Sequence, residues 1–565
     1  MKLPYGLSNF KAVITQGYAY VDKTAYIEQL ENDGKYHFLL RPRRFGKSLF
    51  ISTLEYYYDI QYREDFSQIF GELYIGKHPT ALRNTYQVLF LEFSGIDTSR
   101  GEEHIYQRFN DKVEVNLQSF LQRYAYPPQT IAAICTRHSP EAKLEYFFQI
   151  TNGQQVLLLI DEYDHFANAI LASDLSLFKR IMGKGGFVRS FYETIKTATQ
   201  RGTLDRMFIT GVTPLMLDSL TSGFNISENL SLSKHFNAAL GFTRQEVTQL
   251  LQTLGENKLS DSLFEQLLRD ITRWYNGYRF HPQAAETVYN PDMVLYFLKQ
   301  FDWATTSYPD RMLDDNIASD YQKIMALFSI GNRDSNYQVL DELITNGTIV
   351  AQQQRKFELE KNFGRDDFIS LLAYMGFISI TGKTISQTLF GIPNHVIQEL
   401  YYQYFKVEIE RRNQLHIANH SLSLAIEIFA LQDDIQPLVS EMKNILKGLS
   451  NRDAQGMDEK HIKTLLLTLL YQVPIYFIQS EREINRRYPD VLLLERSPFA
   501  VNHQHLIELK YSKKNEGAKG MAVKRQEGIT QVQGYLQLPD ITNLAKLSAW
   551  LLVTDGEQIE VVKIA

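Results

Sequence analysis

The sequence predicts an α/β protein. A parallel sheet covered by helices is extended by a helical, winged-helix-like lid and followed by a smaller C-terminal α/β domain. Three observations predict this. Apolar runs at His37–Leu40, Val88–Phe93, Val156–Ile160 and Met207–Gly211 alternate with segments of helical spacing, the pattern of parallel strands buried on both faces. The first run leads into Gly46-Lys47-Ser48 and the third ends in Asp161-Glu162, so two strands carry polar chemistry at their carboxyl ends. After Gly456 the chain changes character, with short strands at 473–478, 490–494, 506–511 and 550–554.

The elements follow in order. Tyr18–Thr24 leads into a helical pattern through Leu30, and Lys35–Leu40 is the first strand. Leu49, Phe50, Ile51 and Leu54 give helical spacing after the loop, to about Tyr58. Residues 60–87 are irregular and helical, and 101–150 are helical with few breakers. Phe178, Ile181, Phe187, Phe191 and Ile195 mark the helices before the strand at 207–211. From Leu240 the chain turns helical, and Thr243 with Glu246 three residues later is a capping-box pattern. Trp274–Phe280 is an aromatic-rich turn, and Tyr289-Asn290-Pro291 opens another helix. Phe368–Gly376, Phe377–Thr381 and Ser386–Ile392 read as a helix and a small hairpin, which suits a winged-helix-like lid. Residues 399–448 are helical, and Leu449–Gly456 is a polar linker. The expected domains are therefore 1–240, 241–398, a helical linker region 399–455, and 456–565.

Composition bounds the rest. The chain has 565 residues, enough for about three to four domains. Hydrophobic content of 44% and charged content of 22% are those of a globular protein. The net charge of −6 excludes a global basic field, so any nucleic-acid binding must rest on local patches. A single cysteine, Cys135, excludes an internal disulfide framework and fits a reducing compartment. The N-terminus has no apolar signal core, and the longest apolar region, Thr464–Ile478, is interrupted by Gln472 and Pro474 and too short to span a bilayer. These features point to a soluble cytoplasmic protein without a membrane partner.

The stretch Arg41-Pro42-Arg43-Arg44-Phe45-Gly46-Lys47-Ser48 reads as a phosphate-binding loop between strand and helix. Backbone N–H groups of such a loop and of the helix N-terminus surround phosphate oxygens. Lys47 supplies a point charge to the β- and γ-phosphates of ATP, and the Ser48 hydroxyl holds Mg²⁺. Arg41 stands where the usual pattern has its first glycine. Asp161 is placed to support the Mg²⁺, and Glu162 to orient and deprotonate the attacking water. Thr210, at the end of a neighbouring strand, is a candidate γ-phosphate sensor.

A second constellation lies near the C-terminus. Glu508 and Lys510 point to one face of a strand because the period is two, and Asp490 begins an adjacent strand. Two carboxylates suit Mg²⁺ or Mn²⁺, and Lys510 is placed to assist hydroxide attack on a phosphodiester. Gln531 on the following helix is a candidate neighbour. Arg482, Arg486, Arg487, Lys513, Lys514, Lys519, Lys524 and Arg525 form a nearby cationic set suited to phosphates.

These residues resemble two known families. The N-terminal part resembles the bacterial AAA-ATPase-like family of P-loop NTPases, related to STAND-type signalling ATPases. The matching stretches are Tyr20-Val21-Asp22-Lys23-Thr24, Arg41–Ser48, Leu159–Asp164, Ser222-Gly223-Phe224-Asn225, Trp274–Phe280 and Ile392-Pro393-Asn394. That family also carries Arg at the first loop position. The C-terminal part resembles the PD-(D/E)XK nuclease superfamily, with a restriction-endonuclease-like fold. Asp490, Glu508 and Lys510 fall on its signature positions, Gln531 on the helix position that follows, and Glu459 on that of an extra helical acid. Members often place Gly-Arg before the Asp, where this chain has Arg487-Tyr488.

The combined expectation is an ATP-binding and ATP-hydrolysing module that controls a Mg²⁺- or Mn²⁺-dependent nuclease acting on DNA or RNA, in a role such as defence against foreign nucleic acid. The rival is a nucleotide-dependent switch whose C-terminal domain binds nucleic acid or a partner without cleavage. A homo-oligomer stays open, as does an arginine acting across its interface, with Arg43, Arg44 and Arg206 as equal candidates. His416 and His420 are read at i, i+4 on a helix without a metal role, His503 and His505 as a solvated turn, Cys135 as a lone cysteine on an apolar face, and the aromatics around Trp274 as packing.

Overall fold

A computed structural model describes residues 2–183, 185–216, 227–255, 259–315, 317–319, 328, 330–357, 363–449, 457–480 and 488–565. The chain forms two compact units. The first comprises Met1–Lys299, Asp315–Leu343 and Gly347–His395, and the second Gln300–Asp314, Ile344–Asn346 and Val396–Ala565.

The first unit is built on five parallel strands in the order β2-β3-β4-β1-β5. They are β1 (Tyr36–Leu40), β2 (Gln87–Glu92), β3 (Val156–Asp161), β4 (Arg206–Gly211) and β5 (Glu228–Asn229). The short edge strand β5 has no apolar run, and the sequence pattern did not mark it. Every residue of β3 is buried, as its unbroken apolar run requires. Helix α1 (Lys47–Tyr58) leaves the end of β1 and buries Phe50, Ile51 and Leu54. The side helices meet in an aromatic core in which Phe109 stacks on Phe93 at 4.9 Å and meets Phe191 edge-on at 5.1 Å.

The helical part begins with α2 (Arg244–Gly255), and the expected capping box is present. The Thr243 N–H donates to Glu246 Oε2 (2.7 Å) and the Glu246 N–H donates to Thr243 Oγ1 (3.2 Å). Helices α3 (Asp261–Tyr275) and α4 (Pro291–Gln300) follow, then α5 (Arg333–Asn346), β6 (Thr348–Ala351), α6 (Arg365–Met375), β7 (Ser379–Lys383) and β8 (Thr388–Gly391). The order helix, strand, helix, hairpin is winged-helix-like, with one helix among the described residues between β6 and the hairpin. Its antiparallel sheet runs β6-β8-β7, and β6 is a third strand beside the expected hairpin.

The second unit carries a mixed sheet, β13-β12-β11-β10-β9. Its strands are β9 (Tyr476–Ser480), β10 (Val491–Glu495), β11 (Gln504–Tyr511), β12 (Leu547–Thr554) and β13 (Ile559–Lys563); β11 and β12 are parallel and the other pairs antiparallel. Helices α7 (His395–Asn413), α8 (Asn419–Gln432), α9 (Gln436–Gly448), α10 (Glu459–Leu470) and α11 (Gly517–Tyr535) complete it.

Residues 399–448, expected in a linker region, belong to this second unit. Phe429 of α8 stacks on His505 at 3.6 Å, and the backbone N–H groups of Asn502 and His503 donate to the Ala430 carbonyl. Phe429 of α8 also meets Trp550 of β12 at 6.1 Å. Most of the polar stretch expected as a linker, 450–456, lies outside the described residues. His505 is likewise not in a solvated turn. It is fully buried in β11, and burial pulls its imidazole down to about 3. His416 lies in the loop before α8 and His420 within it, so they do not share a helix face. Cys135 is exposed rather than set on an apolar face.

Candidate functional site

The carboxyl end of the parallel sheet opens into a cavity of about 500 Å³. Arg43, Arg44, Phe45, Gly46, Lys47 and Ser48 line it from the loop, and Glu162, Asp164 and Asn168 from the end of β3 and the helix after it. That volume suits a nucleotide-sized ligand. Lys47 is buried, and its Nζ donates to the Arg41 and Pro42 carbonyls at 3.1 and 2.9 Å. Burial pulls its ammonium down to about 8, against the pull of Asp161, Asp164 and Glu162. Asp161 is raised by burial, and the Ser48 hydroxyl and Lys47 oppose that rise. Glu162 is raised by burial and by Asp161, and stands in the left-handed region at φ 50. For a non-glycine residue that conformation costs about 1–3 kcal/mol, a feature of functional turns.

The loop is held from behind by Arg41. Its guanidinium, 1% exposed, donates to the carbonyls of Leu40 (2.8 Å), Ser231 (2.9 Å) and Phe236 (2.6 Å) and lies 3.9 Å over the Phe280 ring. The Arg41 N–H donates to the Gly211 carbonyl and so continues the sheet. Arg41 and Pro42 therefore do not line the cavity, contrary to their expected place among the phosphate-binding residues. The side chain in the glycine position is turned into the core. Thr210 is also displaced from its expected sensor role: its hydroxyl is buried and donates to the Leu39 carbonyl at 2.7 Å. Arg206 lies at the opposite end of β4 and donates to the Gly34 carbonyl, which removes it from this site.

The aromatic turn packs against the loop. Phe45 meets Tyr278 edge-on at 4.9 Å and Phe280 at 5.6 Å. Gly277 has φ +103, and a Cβ there would lie 1.9 Å from the Pro393 carbonyl oxygen, so only glycine fits. The Asn394 amide donates to the Asn276 carbonyl at 2.9 Å. Two sequence motifs thus meet in space. Ser222–Asn225, a third, lies outside the described residues.

Sequence reasoning gave no role to Asp164, the carboxylate that orders this end of the sheet. It accepts from the Val212 and Thr213 N–H groups, the Thr213 hydroxyl at 2.7 Å and the Asn168 amide at 2.7 Å. A Cβ on Gly211 would lie 2.3 Å from its Oδ1. Lys23 also lines the cavity and is clamped by both Glu246 oxygens at 2.7 and 2.8 Å. The run from Asp161 to Asp164 and the Asp22-Lys23 pair were the available signals.

In the second unit the expected residues come together. Asp490 Oδ2 accepts the Leu509 N–H at 2.8 Å, which fixes it beside β11. Lys510 Nζ donates to Glu508 Oε1 (2.8 Å) and stands 3.6 Å from Glu459 Oε1. Glu459 Oε2 accepts the Tyr511 N–H at 3.3 Å. Glu508 is buried, and burial together with Asp490 pushes its carboxyl up to about 7. Asp490 is raised by burial as well. Burial alone would lower Lys510, but Glu508, Glu459 and Asp490 hold it above its usual range. Gln531, on α11, lines an open cleft with Glu459, Lys510 and Lys524. Of the cationic set, Lys514 pairs with Glu557 and Lys524 with Glu527, while Arg482, Arg486 and Arg487 lie outside the described residues.

Both sites offer oxygen donors in the pairs that a hard divalent cation takes, Ser48 with Asp161 and Asp490 with Glu508. Among the described residues no group of three or more His, Cys, Asp or Glu stands ready to hold a metal without help. Mg²⁺ is commonly bound in this way, through one or two carboxylates completed by substrate phosphates and water. Two crowded, protonation-prone carboxyls at Asp490 and Glu508 also favour a cation between them.

Residues 4–221 match the family model described as a predicted AAA-ATPase, and residues 457–564 match that of the PD-(D/E)XK nuclease superfamily. The chain therefore carries an ATPase-like domain and a nuclease-like domain. An uncharacterized protein in the vnfD 5′ region of Azotobacter chroococcum mcd 1 is 28% identical over 338 residues, 55% of this chain and 55% of that protein. The chain thus spans about half the length of the curated relative it matches. Solved structures with similarity include the Walker-type ATPase PABY2304 of Pyrococcus abyssi (11% identical, 67% of this chain, 94% of that one, TM-score 0.36). The Aeropyrum pernix ORC1 protein in complex with DNA is another (10% identical, 70% and 97%, TM-score 0.28). Among the described residues no helix is long and apolar enough to cross a membrane.

Proposed function

We propose that the first unit binds and hydrolyses ATP and thereby controls metal-dependent phosphodiester cleavage by the second. The observation that carries the reading is the convergence of Asp490, Glu508 and Lys510 on one sheet, in a chain whose other sheet ends in the Lys47–Ser48–Asp161–Glu162 cavity. In the cavity, Lys47 leaves the loop carbonyls to hold the β- and γ-phosphates. Ser48 and Asp161 would hold Mg²⁺, which supplies neutralisation of phosphate charge. Glu162, raised by burial, accepts the proton of the water that attacks the γ-phosphorus as the bond to the ADP oxygen breaks. In the second unit Asp490 and Glu508 would hold Mg²⁺ or Mn²⁺, which polarises the scissile phosphate. The protonated Lys510 orients the attacking oxygen, and Gln531 and Lys524 border the path of the nucleic acid. Defence against foreign nucleic acid, in the cytoplasm, is the setting this pairing of domains suggests.

The test is incubation of the full chain with plasmid, single-stranded DNA and RNA, with Mn²⁺, with and without ATP. Cleavage that disappears in Lys510→Ala supports the nuclease, and a changed rate in Lys47→Ala shows that ATP gates it. Tight ATP binding with no cleavage of any substrate replaces this reading with the non-cleaving nucleotide switch.

A further inference from the structure

The winged-helix part of the first unit carries cations that neither site uses. Lys383 ends β7 and is exposed, and Arg355 and Lys356 are exposed on the segment after β6. Lys234 and His235 are exposed on the turn before Asn237. Backbone bonds gather these separate segments. The Arg279 N–H donates to Ser379 Oγ (2.7 Å) at the start of β7, and the Phe280 N–H donates to Asn237 Oδ1 (2.9 Å). The Gln354 N–H donates to Ser370 Oγ of α6 (2.8 Å). His281 lies near these segments, and its imidazole is lowered by burial and then by Lys234, Arg355, Lys383 and His235. No described carboxylate forms an ion pair with Lys234, Arg355, Lys356 or Lys383, whereas Lys514 and Lys524 near the nuclease-like cleft are paired.

The hairpin beside this patch is preorganised. The Thr384 N–H donates to the Gln387 carbonyl (2.9 Å) and the Gln387 N–H donates to Thr384 Oγ1 (3.0 Å). Ile385 is fully exposed at the tip. An apolar tip on a rigid hairpin with cations at its base matches a groove flanked by regularly spaced phosphates. On a chain of net charge −6 these cations form a local positive patch that no described carboxylate pairs with.

We propose that this face of the first unit is a second nucleic-acid-binding surface, in which Lys234, Arg355 and Lys383 contact the phosphates of a DNA duplex and the Ile385 tip enters its groove. The surface would let the ATPase unit sense duplex DNA directly, whether or not the second unit cleaves.

The test is fluorescence anisotropy of the full chain with a fluorescein-labelled duplex of about 30 base pairs, a length that spans roughly three helical turns. It is done in EDTA, so that cleavage plays no part, across a KCl titration. Arg355→Ala/Lys383→Ala is expected to lower affinity about 10- to 100-fold near 0.1 M salt and to reduce the log–log salt slope by about 2, one unit per lost phosphate contact. Arg355→Lys/Lys383→Arg should keep the slope, and Lys234→Ala should remove one further unit. Melting temperature and ATP binding serve as folding controls, because neither Arg355 nor Lys383 touches the nucleotide cavity. An unchanged slope and affinity in the double variant overturns the proposal. So does loss of duplex binding only on Lys519→Ala/Lys524→Ala in the second unit, or loss of binding to phosphatidylserine vesicles while duplex binding persists. Failure of the nuclease reading would instead appear as intact duplex binding without cleavage in Mn²⁺.

Discussion

Replacing Arg41 by glycine restores the residue that phosphate-binding loops usually carry, yet the structure predicts a weaker nucleotide site. The substitution removes three hydrogen bonds from a charged guanidinium to the Leu40, Ser231 and Phe236 carbonyls and its contact with Phe280. Each charge-assisted bond is worth about 1.5–3 kcal/mol, so the gross loss is roughly 4–9 kcal/mol. Burial opposes part of that gain, as the pull of the guanidinium down to about 9 records. Orphaned carbonyls and a side-chain-sized void remain, so the net cost should be about 3 kcal/mol, in the range for truncating a buried charged group. For a unit of this size that corresponds to a fall in melting temperature of roughly 4 °C. Differential scanning fluorimetry measures the fall, and fluorescent ATP-analogue titration measures the affinity. Arg41→Lys should fail to rescue, because an ammonium cannot span three carbonyls in a fork. A melting temperature within about 1 °C of the parent, or tighter ATP binding in Arg41→Gly, would refute the reasoning.

Two further predictions test the packing. His505 is buried neutral, so the unfolded chain takes up a proton at His505 below its ordinary value of 6.5 that the folded chain refuses until about 3. Stability from this group is therefore present above 6.5 and lost as pH falls through that window, by about 2 kcal/mol at pH 5. His505→Gln should show a smaller drop in melting temperature between pH 7.5 and pH 5; an equal drop would count against a buried neutral imidazole. Gly277→Ala should cost about 3 kcal/mol or more, because the methyl meets the Pro393 oxygen at 1.9 Å in a left-handed conformation. Loss of ATP affinity should follow, since Tyr278 and Phe280 brace Phe45 in the loop. An unchanged melting temperature would show that the turn can move away.

Much of the fold could be read from local pattern. Strands β1 to β4 coincide with the apolar runs to within a residue or two, because a strand buried on both faces needs unbroken apolar sequence. Edge strands β5, β6 and β13 were missed because they are short and only partly buried. At the nuclease-like site the period of two placed Glu508 and Lys510 on one face, and the Asp490–Leu509 bond brings the third group to them. The His503-Gln504-His505 stretch looked like a turn because its polarity is local, whereas its burial comes from Phe429 on a helix 76 residues away.

The residues expected to carry the chemistry were legible from short motifs: the Gly46-Lys47-Ser48 loop, the Asp161-Glu162 strand end and the Asp490, Glu508 and Lys510 set. Each is a short motif on one element, and its spacing fixes its geometry through backbone periodicity. Which way the neighbouring side chains turn depends on partners distant in the chain. Arg41 faces the core because its carbonyl partners lie 190 and 195 residues away at Ser231 and Phe236. Thr210 faces Leu39, 171 residues distant, and Asp164 is claimed by Val212 and Thr213. A buried polar group must find its partner wherever the folded chain supplies one, and no local pattern records that requirement.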